Sequence, residues 1–283
     1  MEIKKICVLG AGAMGHGIAQ VCAQAGYDVN LRDIEEKLVQ GGLDRIQKFL
    51  DGSVERKKVT REEADVILAR IKGITDLKEA VRDADLVIEA IVENKEAKTE
   101  MFRQLDPLCS DHVIFASNTS NLCITELAAV TKRPDKFFGM HWMNPPQIMR
   151  GIEVIRTEKT SQQVLDTVVA LCKKLGKEAA ICKDSPGFIA NRILYVWRME
   201  GFRAYDEGIA SFQDIDKAFK EGYGFRMGPF ELIDFTGLDI AAYTMENTYQ
   251  EMKNDMFKPS RCVLMKARAG DYGRKTGRGF YEY

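Results

Sequence analysis

No C-x-x-C pair occurs in the chain, no apolar run approaches the about 18 residues that a membrane span needs, and neither sign of charge is in excess. Each absence removes a class of function. The seven cysteines stand apart, at 7, 22, 109, 123, 172, 182 and 262, and their odd number and wide spacing fit reduced thiols in a cytoplasmic protein better than a disulfide framework. Lys and Arg total 41 against 42 Asp and Glu, a formal net charge of −1. That balance argues against nucleic-acid or membrane-surface binding, both of which favour a basic excess. Histidine is scarce as well, with three residues at 16, 112 and 141, so any imidazole chemistry must use one of them. What is present is 283 residues, 45% hydrophobic and 29% charged, enough for about two ordinary globular domains.

Lys4-Lys5 before Ile6-Cys7-Val8-Leu9 imitates a secretory signal, but the apolar run stops at four residues and gives way to glycines, His16 and Gln20. The better reading of residues 5–33 is strand, turn, helix, strand. Ile6 to Leu9 is unbroken and apolar, as a strand buried on both faces requires. Met14 to Ala25 forms helix and Gly26 ends it. Val29 and Leu31 then alternate with polar neighbours into Asp33. Further strand-like runs occur at Leu86–Ile88, Val113–Phe115, Phe137-Phe138, Val154-Ile155 and Ala179–Cys182, with helical patterns between them. One such helix opens on a capping box, Thr160 with Gln163, and closes at Gly176. Alternating strands and helices predict an α/β, Rossmann-type, doubly wound and mostly parallel sheet. A charged stretch, about 44–70, reads as a helical excursion from it. Asp184-Ser185-Pro186-Gly187 breaks the pattern, so a boundary is expected between 184 and 185, followed by an all-helical C-terminal domain over 185–283.

Gly10-Ala11-Gly12-Ala13-Met14-Gly15 is a G-x-G-x-x-G that follows a buried strand and opens a helix. Such a turn needs Gly10 for its tightness, Gly12 so that backbone can approach a pyrophosphate, and Gly15 so that helix and strand pack closely. The helix N-terminus, from Ala13 and Met14 onward, offers amides and a positive dipole end to the phosphates. Asp33, closing the second strand, would accept from the adenosine ribose hydroxyls. The expected cofactor is NAD, with NADP left open because Arg32 stands beside Asp33.

His141 follows the apolar run from Phe137 to Met140, where open α/β sheets bind ligands, and it can be a general base or a histidine packed beside Trp142. Glu153, on the strand that follows, can orient its other nitrogen or simply be solvated. Ser117-Asn118-Thr119-Ser120 offers donors at another strand end, or caps the next helix. Asn191 falls in the first helix past the boundary. His16 lies in the glycine-turn helix, and His112 reads as a surface residue.

The chain resembles the L-3-hydroxyacyl-CoA dehydrogenase family, and its short bacterial members above all. The resemblance runs through KKICVLGAGAMGHGIAQ, LVIEAIVEN, ASNTS, KRPDKFFGMHWMNPP, GIEVI, DSPGFIANRIL, EGIAS with DIDKA, MGPFELIDFTGLD and GRKTGRGFYEY, in order. It implies that His141 is the general base, Glu153 its orienting carboxylate, and Ser120 and Asn191 the residues that position the substrate. It also implies that Glu93 and Lys98 contact the nicotinamide side of NAD, and Asn118 is a further cofactor-binding candidate. The partner would be an acyl-CoA, and the helical domain would form a homodimer or higher homo-oligomer. The acyl-chain preference and the direction of reaction stay open. The chain also departs from the family. Asn121 stands where a second serine is common, and Gly52 where relatives place a lysine for the CoA phosphates. Arg56 takes a second basic position beside Lys57 and Lys58, and Arg226 stands where proline is usual.

Overall fold

A computed structural model describes residues 2–283. The chain divides into two compact units at Phe188 and Ile189. The first is built on an eight-stranded sheet: β1 (Lys5–Leu9), β2 (Asp28–Arg32), β3 (Ile71–Ile74), β4 (Leu86–Glu89), β5 (Ile114–Ser117), β6 (Phe137–Trp142), β7 (Gly151–Arg156) and β8 (Glu178–Lys183). Their order is β3-β2-β1-β4-β5-β6-β7-β8. Every neighbouring pair runs parallel except β6–β7, which is antiparallel. The order reverses between β1 and β4, the switch point of a doubly wound sheet.

Helices cover the sheet: α1 (Gly15–Gln24), α2 (Glu36–Glu55), α3 (Arg61–Ala69), α4 (Leu77–Val81), α5 (Lys95–Leu105), α6 (Ile124–Ala129) and α7 (Gln162–Lys174). Alternate residues of β1 feed opposite faces. Ile6 and Val8 join one apolar cluster with α1 and α7, while Cys7 and Leu9 join another built on Phe102, Phe115 and Phe137. The unbroken apolar run is therefore what a two-sided strand requires.

Four local expectations need correction. The helical excursion begins at Glu36 rather than about 44, because α2 already buries Val39 and Gly42. Ile71–Ile74 is a strand that its single Lys-Gly core conceals. Asn30, polar in the β2 alternation, is buried and donates through Nδ2 to the Ala80 carbonyl at 2.7 Å. Finally, α7 is capped by Ser161, which accepts from the Val164 amide, and Thr160 instead donates to the Phe137 carbonyl at 2.7 Å. A true capping box closes Thr60 and Glu63 at the start of α3.

The second unit is helical: α8 (Ala190–Asp206), α9 (Phe212–Tyr223), α10 (Pro229–Thr236), α11 (Leu238–Met252) and α12 (Arg261–Arg268), packed around Phe202, Phe230, Ile233, Val263 and Phe280. The last residues add only isolated bridges. Buried Asp234 accepts from the Phe280 and Tyr281 amides, and a Cβ on Gly279 would sit 2.1 Å from its carboxylate. The closing glycine-aromatic motif is thus a packing device.

Candidate active site

The glycine turn leaves β1 and enters α1. Gly10 has φ +97°, and a Cβ there would meet the Ala90 carbonyl oxygen at 2.4 Å. A Cβ on Gly15 would lie 1.7 Å from the Gly10 carbonyl oxygen. A Cβ on Gly12 would meet nothing within 4 Å. Two glycines are thus demanded by the fold itself, whereas Gly12 borders open space that packing does not require. That is the shape a pyrophosphate needs, at the start of a helix whose first-turn amides lack intrahelical partners. Three side chains brace the turn. Asp33 Oδ2 accepts from the Ala11 amide at 2.8 Å, Arg45 donates to the Ala11 carbonyl at 2.6 Å, and the His16 imidazole Nδ1 lies 2.6 Å from the Gly12 carbonyl. Burial pushes the His16 pKa down despite that bond, and nearby Arg45 pushes it the same way. Arg32 turns elsewhere, its Nε donating to the Thr75 carbonyl at 3.0 Å. The residues present fit a dinucleotide.

At the other side of the switch point, the ends of β4 and β5 carry an ionic cluster in which Glu89 and Lys98 are buried and Glu93 opens to solvent. Lys98 Nζ lies 2.6 Å from Glu89 Oε1 and 3.3 Å from Glu93 Oε2, and the Lys98 and Glu89 side chains are 1% and 0% exposed. The other Glu89 oxygen accepts from Ser117 Oγ at 2.6 Å. Glu93 Oε1 accepts from Thr119 Oγ1 at 2.5 Å and from the Ser120 amide at 2.9 Å, and more loosely from the Ser120 hydroxyl and the Asn121 amide. Burial pushes the Glu93 pKa up, but Lys98, the Thr119 hydroxyl and the Ser120 amide outweigh it and hold the carboxyl below its ordinary value. Asn118 Oδ1 accepts from the Trp142 amide at 3.0 Å, which ties this loop to β6.

His141 and Glu153 are in direct register across β6–β7. Residues opposite each other in an antiparallel ladder project to the same face. The His141 Nδ1 to Glu153 Oε2 distance is 2.7 Å, and both residues are buried. A carboxylate only accepts, so Nδ1 carries the proton and Nε2 is the basic nitrogen. Phe188 packs its ring against the imidazole, with centroids 5.7 Å apart. Its backbone sits at φ +50°, a position other residues than glycine seldom take. Lys177 donates to the Pro146 and Met149 carbonyls, both at 2.6 Å, and so fixes the loop that follows β6.

The structure therefore joins His141 to Glu153, and Glu93 to Lys98 and Ser120, with Asn118 as the link between the two groups. Asn191 belongs to the second unit, in the first turn of α8. Arg56 is the C-cap of α2, exposed, with its guanidinium folded over Gly52, 3.2 Å from where a Cβ there would sit. His112 is exposed beside Asp85. Arg226 is exposed after α9, and nothing in the structure explains it. Sequence reasoning missed Glu89, Lys177, Phe188 and Arg45. Only Glu89 gave a signal, as an acid closing the buried Leu86–Ile88 run.

Residues 5–185 match the model of the 3-hydroxyacyl-CoA dehydrogenase NAD binding domain, and residues 187–283 that of the 3-hydroxyacyl-CoA dehydrogenase C-terminal domain. The chain belongs to the 3-hydroxyacyl-CoA dehydrogenase family. It is 44% identical to a "Probable 3-hydroxybutyryl-CoA dehydrogenase" of Bacillus subtilis (strain 168), over 100% of this chain and 98% of that one. It is 42% identical to the mitochondrial hydroxyacyl-coenzyme A dehydrogenase of Homo sapiens, over 99% of this chain and 91% of that one. Among solved structures, (S)-3-hydroxybutyryl-CoA dehydrogenase PaaH1 from Ralstonia eutropha superposes with a TM-score of 0.97 at 41% identity, over 100% of this chain and 99% of that one. The family is one of NAD-dependent oxidoreductases, in keeping with the fitted glycine turn. Among the described residues no helix is long and apolar enough to cross a membrane, and no cluster of side chains is suited to a metal ion.

Proposed function

We propose that this protein interconverts 3-hydroxyacyl-CoA and 3-ketoacyl-CoA, with 3-hydroxybutyryl-CoA and acetoacetyl-CoA as the expected pair. The observation that carries the reading is the buried His141–Glu153 pair, set at strand ends of a unit whose glycine turn fits a dinucleotide. NAD, when bound, supplies the acceptor for the hydride leaving C3. Nε2 of His141 takes the 3-hydroxyl proton, and in the reducing direction returns it. Glu153 holds the imidazole in the tautomer that leaves Nε2 basic, and stabilises the imidazolium that results. Ser120 and Asn191 position the 3-oxygen and the thioester carbonyl, a matter of orientation rather than bond chemistry. Glu93, Lys98 and Asn118 serve the nicotinamide side. Arg56, with Lys57 and Lys58, faces the substrate phosphates. Asp33 serves the adenosine ribose, and the engagement of Arg32 with Thr75 favours NAD over NADP.

Two broader readings accompany this one. A cytoplasmic home is supported by seven free cysteines, whose thiols burial pushes up, to about 12 for Cys22 and Cys172. A homodimer or higher homo-oligomer is supported by exposed Ile240, Tyr243 and Met265 in the helical unit.

The test is the loss of NADH absorbance with acetoacetyl-CoA, run beside NADPH and beside free acetoacetate. Rapid oxidation of NADH with the thioester is expected, slower with NADPH and slower with the free acid. Demonstrable NADH binding with no oxidation of any acyl-CoA would overturn the proposal.

A further inference from the structure

The end of β4 holds a charge arrangement that the hydride-transfer scheme does not itself require. Glu89 stands in register with Leu9 of β1 on one side and with Ser117 of β5 on the other. A dinucleotide whose pyrophosphate lies on the glycine turn, and whose adenosine ribose lies at Asp33 beyond β2, must run its nicotinamide end toward β4 and β5. His141 on β6 demands the same side, since proton and hydride leave the same substrate carbon. Along that side stand two carboxylates, Glu89 and Glu93, and one ammonium, Lys98. The three sum to one net negative charge. Were Glu89 neutral, the Lys98–Glu93 pair would sum to zero.

We infer that Glu89, by sharing Lys98 with Glu93, leaves the three-residue cluster with one net negative charge at the nicotinamide end and so shifts binding toward NAD+ relative to NADH. The inference rests on the proposed function, because it needs a nicotinamide cofactor bound across these strands. Its physical basis is simple. The oxidised ring carries a positive charge and the reduced ring none, while the phosphates, riboses and adenine are identical. The difference between the two affinities therefore isolates the local potential. Glu89 and Lys98 are sealed from water, where a charge acts at lower effective dielectric and is poorly screened. Glu93 is held ionised by Lys98, the Thr119 hydroxyl and the Ser120 amide. Glu89 touches neither substrate nor cofactor in this scheme, so its role is to set charge and to position Lys98.

The experiment is fluorescence titration with NAD+ and with NADH separately, on wild type, Glu89→Gln and the double variant Glu89→Gln/Lys98→Met. Glutamine keeps the size of the side chain and can still accept from Ser117. Glu89→Gln should lose at least about fivefold more affinity for NAD+ than for NADH. The double variant restores one net negative charge, and should recover the wild-type ratio even if both constants weaken. A purely structural role for Glu89 predicts equal weakening for both cofactors, and that result overturns the inference. Should Glu89→Gln fail to fold, Glu93→Gln carries the test, because it leaves the Glu89–Lys98 pair with no net charge. It should lose at least about fivefold more affinity for NAD+ than for NADH, and equal weakening overturns the inference. If wild type binds neither cofactor, the proposed function fails and this inference falls with it. If both bind with an unmoved ratio, this inference alone is lost.

Discussion

His141 and Glu153 face each other across the antiparallel β6–β7 ladder, with 2.7 Å between Nδ1 and Oε2. Paired residues on neighbouring strands project to the same face of a sheet, so this register sets the carboxylate beside the imidazole. The register of β7 on β6 is thus what fixes the imidazole. If His141 is the proton acceptor, its loss removes general base catalysis, typically worth about 10²–10⁴-fold. His141→Gln is therefore expected to lower kcat by at least about two decades while NADH affinity stays near wild type. Steady-state kinetics with a parallel binding titration check both halves.

Glu153 acts through His141, so its replacement has a different signature. In Glu153→Gln an amide faces Nδ1 in place of a carboxylate. The pair keeps its shape but loses the charge that stabilises the imidazolium, and the amide can offer a donor that favours the wrong tautomer. We expect kcat to fall by roughly a hundredfold with KM little changed. Glu153→Asp, which keeps the charge, should retain more of kcat than Glu153→Gln. Equal losses in the two variants would show Glu153 to be structural only.

How far the sequence announces this site depends on the length scale of the signal. The glycine turn is legible because its geometry is local: Gly10, Gly12 and Gly15 are consecutive parts of one turn, and Asp33 ends the next strand. Apolar runs likewise announce β1 and β4 to β7, because burial on both faces forces them to be continuous, while the run at β8 marks an edge strand that stays largely exposed. β3 is not legible, since Lys72 and Gly73 interrupt a four-residue edge strand. Thr160 imitates a helix cap because hydroxyl residues at 160 and 161 stand side by side, and only the fold shows which one meets an amide. The link between His141 and Glu153 depends on a strand register that no local pattern encodes. The Glu89–Lys98 pair joins a strand end to the following helix, and its significance lies in burial, which sequence spacing leaves unstated.

The three glycines of the turn should separate stability from binding. Gly10→Ala and Gly15→Ala drive a methyl into carbonyl oxygens at 2.4 and 1.7 Å, the former at a backbone φ of +97°. Each should cost about 3 kcal/mol of stability, seen as a lowered thermal midpoint without any ligand. Gly12→Ala meets nothing within 4 Å. It should melt close to wild type, within about 0.5 kcal/mol, yet bind NADH at least about tenfold more weakly because the methyl fills the space left for the phosphates. A Gly12→Ala protein with unimpaired NADH binding would remove the turn from the cofactor site.

Glu93 gives the site a pH dependence whose sign is fixed by its partners. Its pKa is lowered in the folded state, where Lys98, the Thr119 hydroxyl and the Ser120 amide outweigh burial, while in the unfolded chain it returns to about 4.3. Between those two values the unfolded chain binds more protons, so acid favours unfolding. The contribution is complete above the unfolded value and disappears as pH falls through the folded one. Thermal midpoints of wild type and Glu93→Gln, measured from neutral pH down to about 3.5, isolate it from the other carboxylates. Wild type should be the more stable at neutral pH, and the gap should close below about pH 4.3. A gap of constant size would mean that the loop carrying Thr119 and Ser120 is held by the shape of the Glu93 side chain and not by its charge.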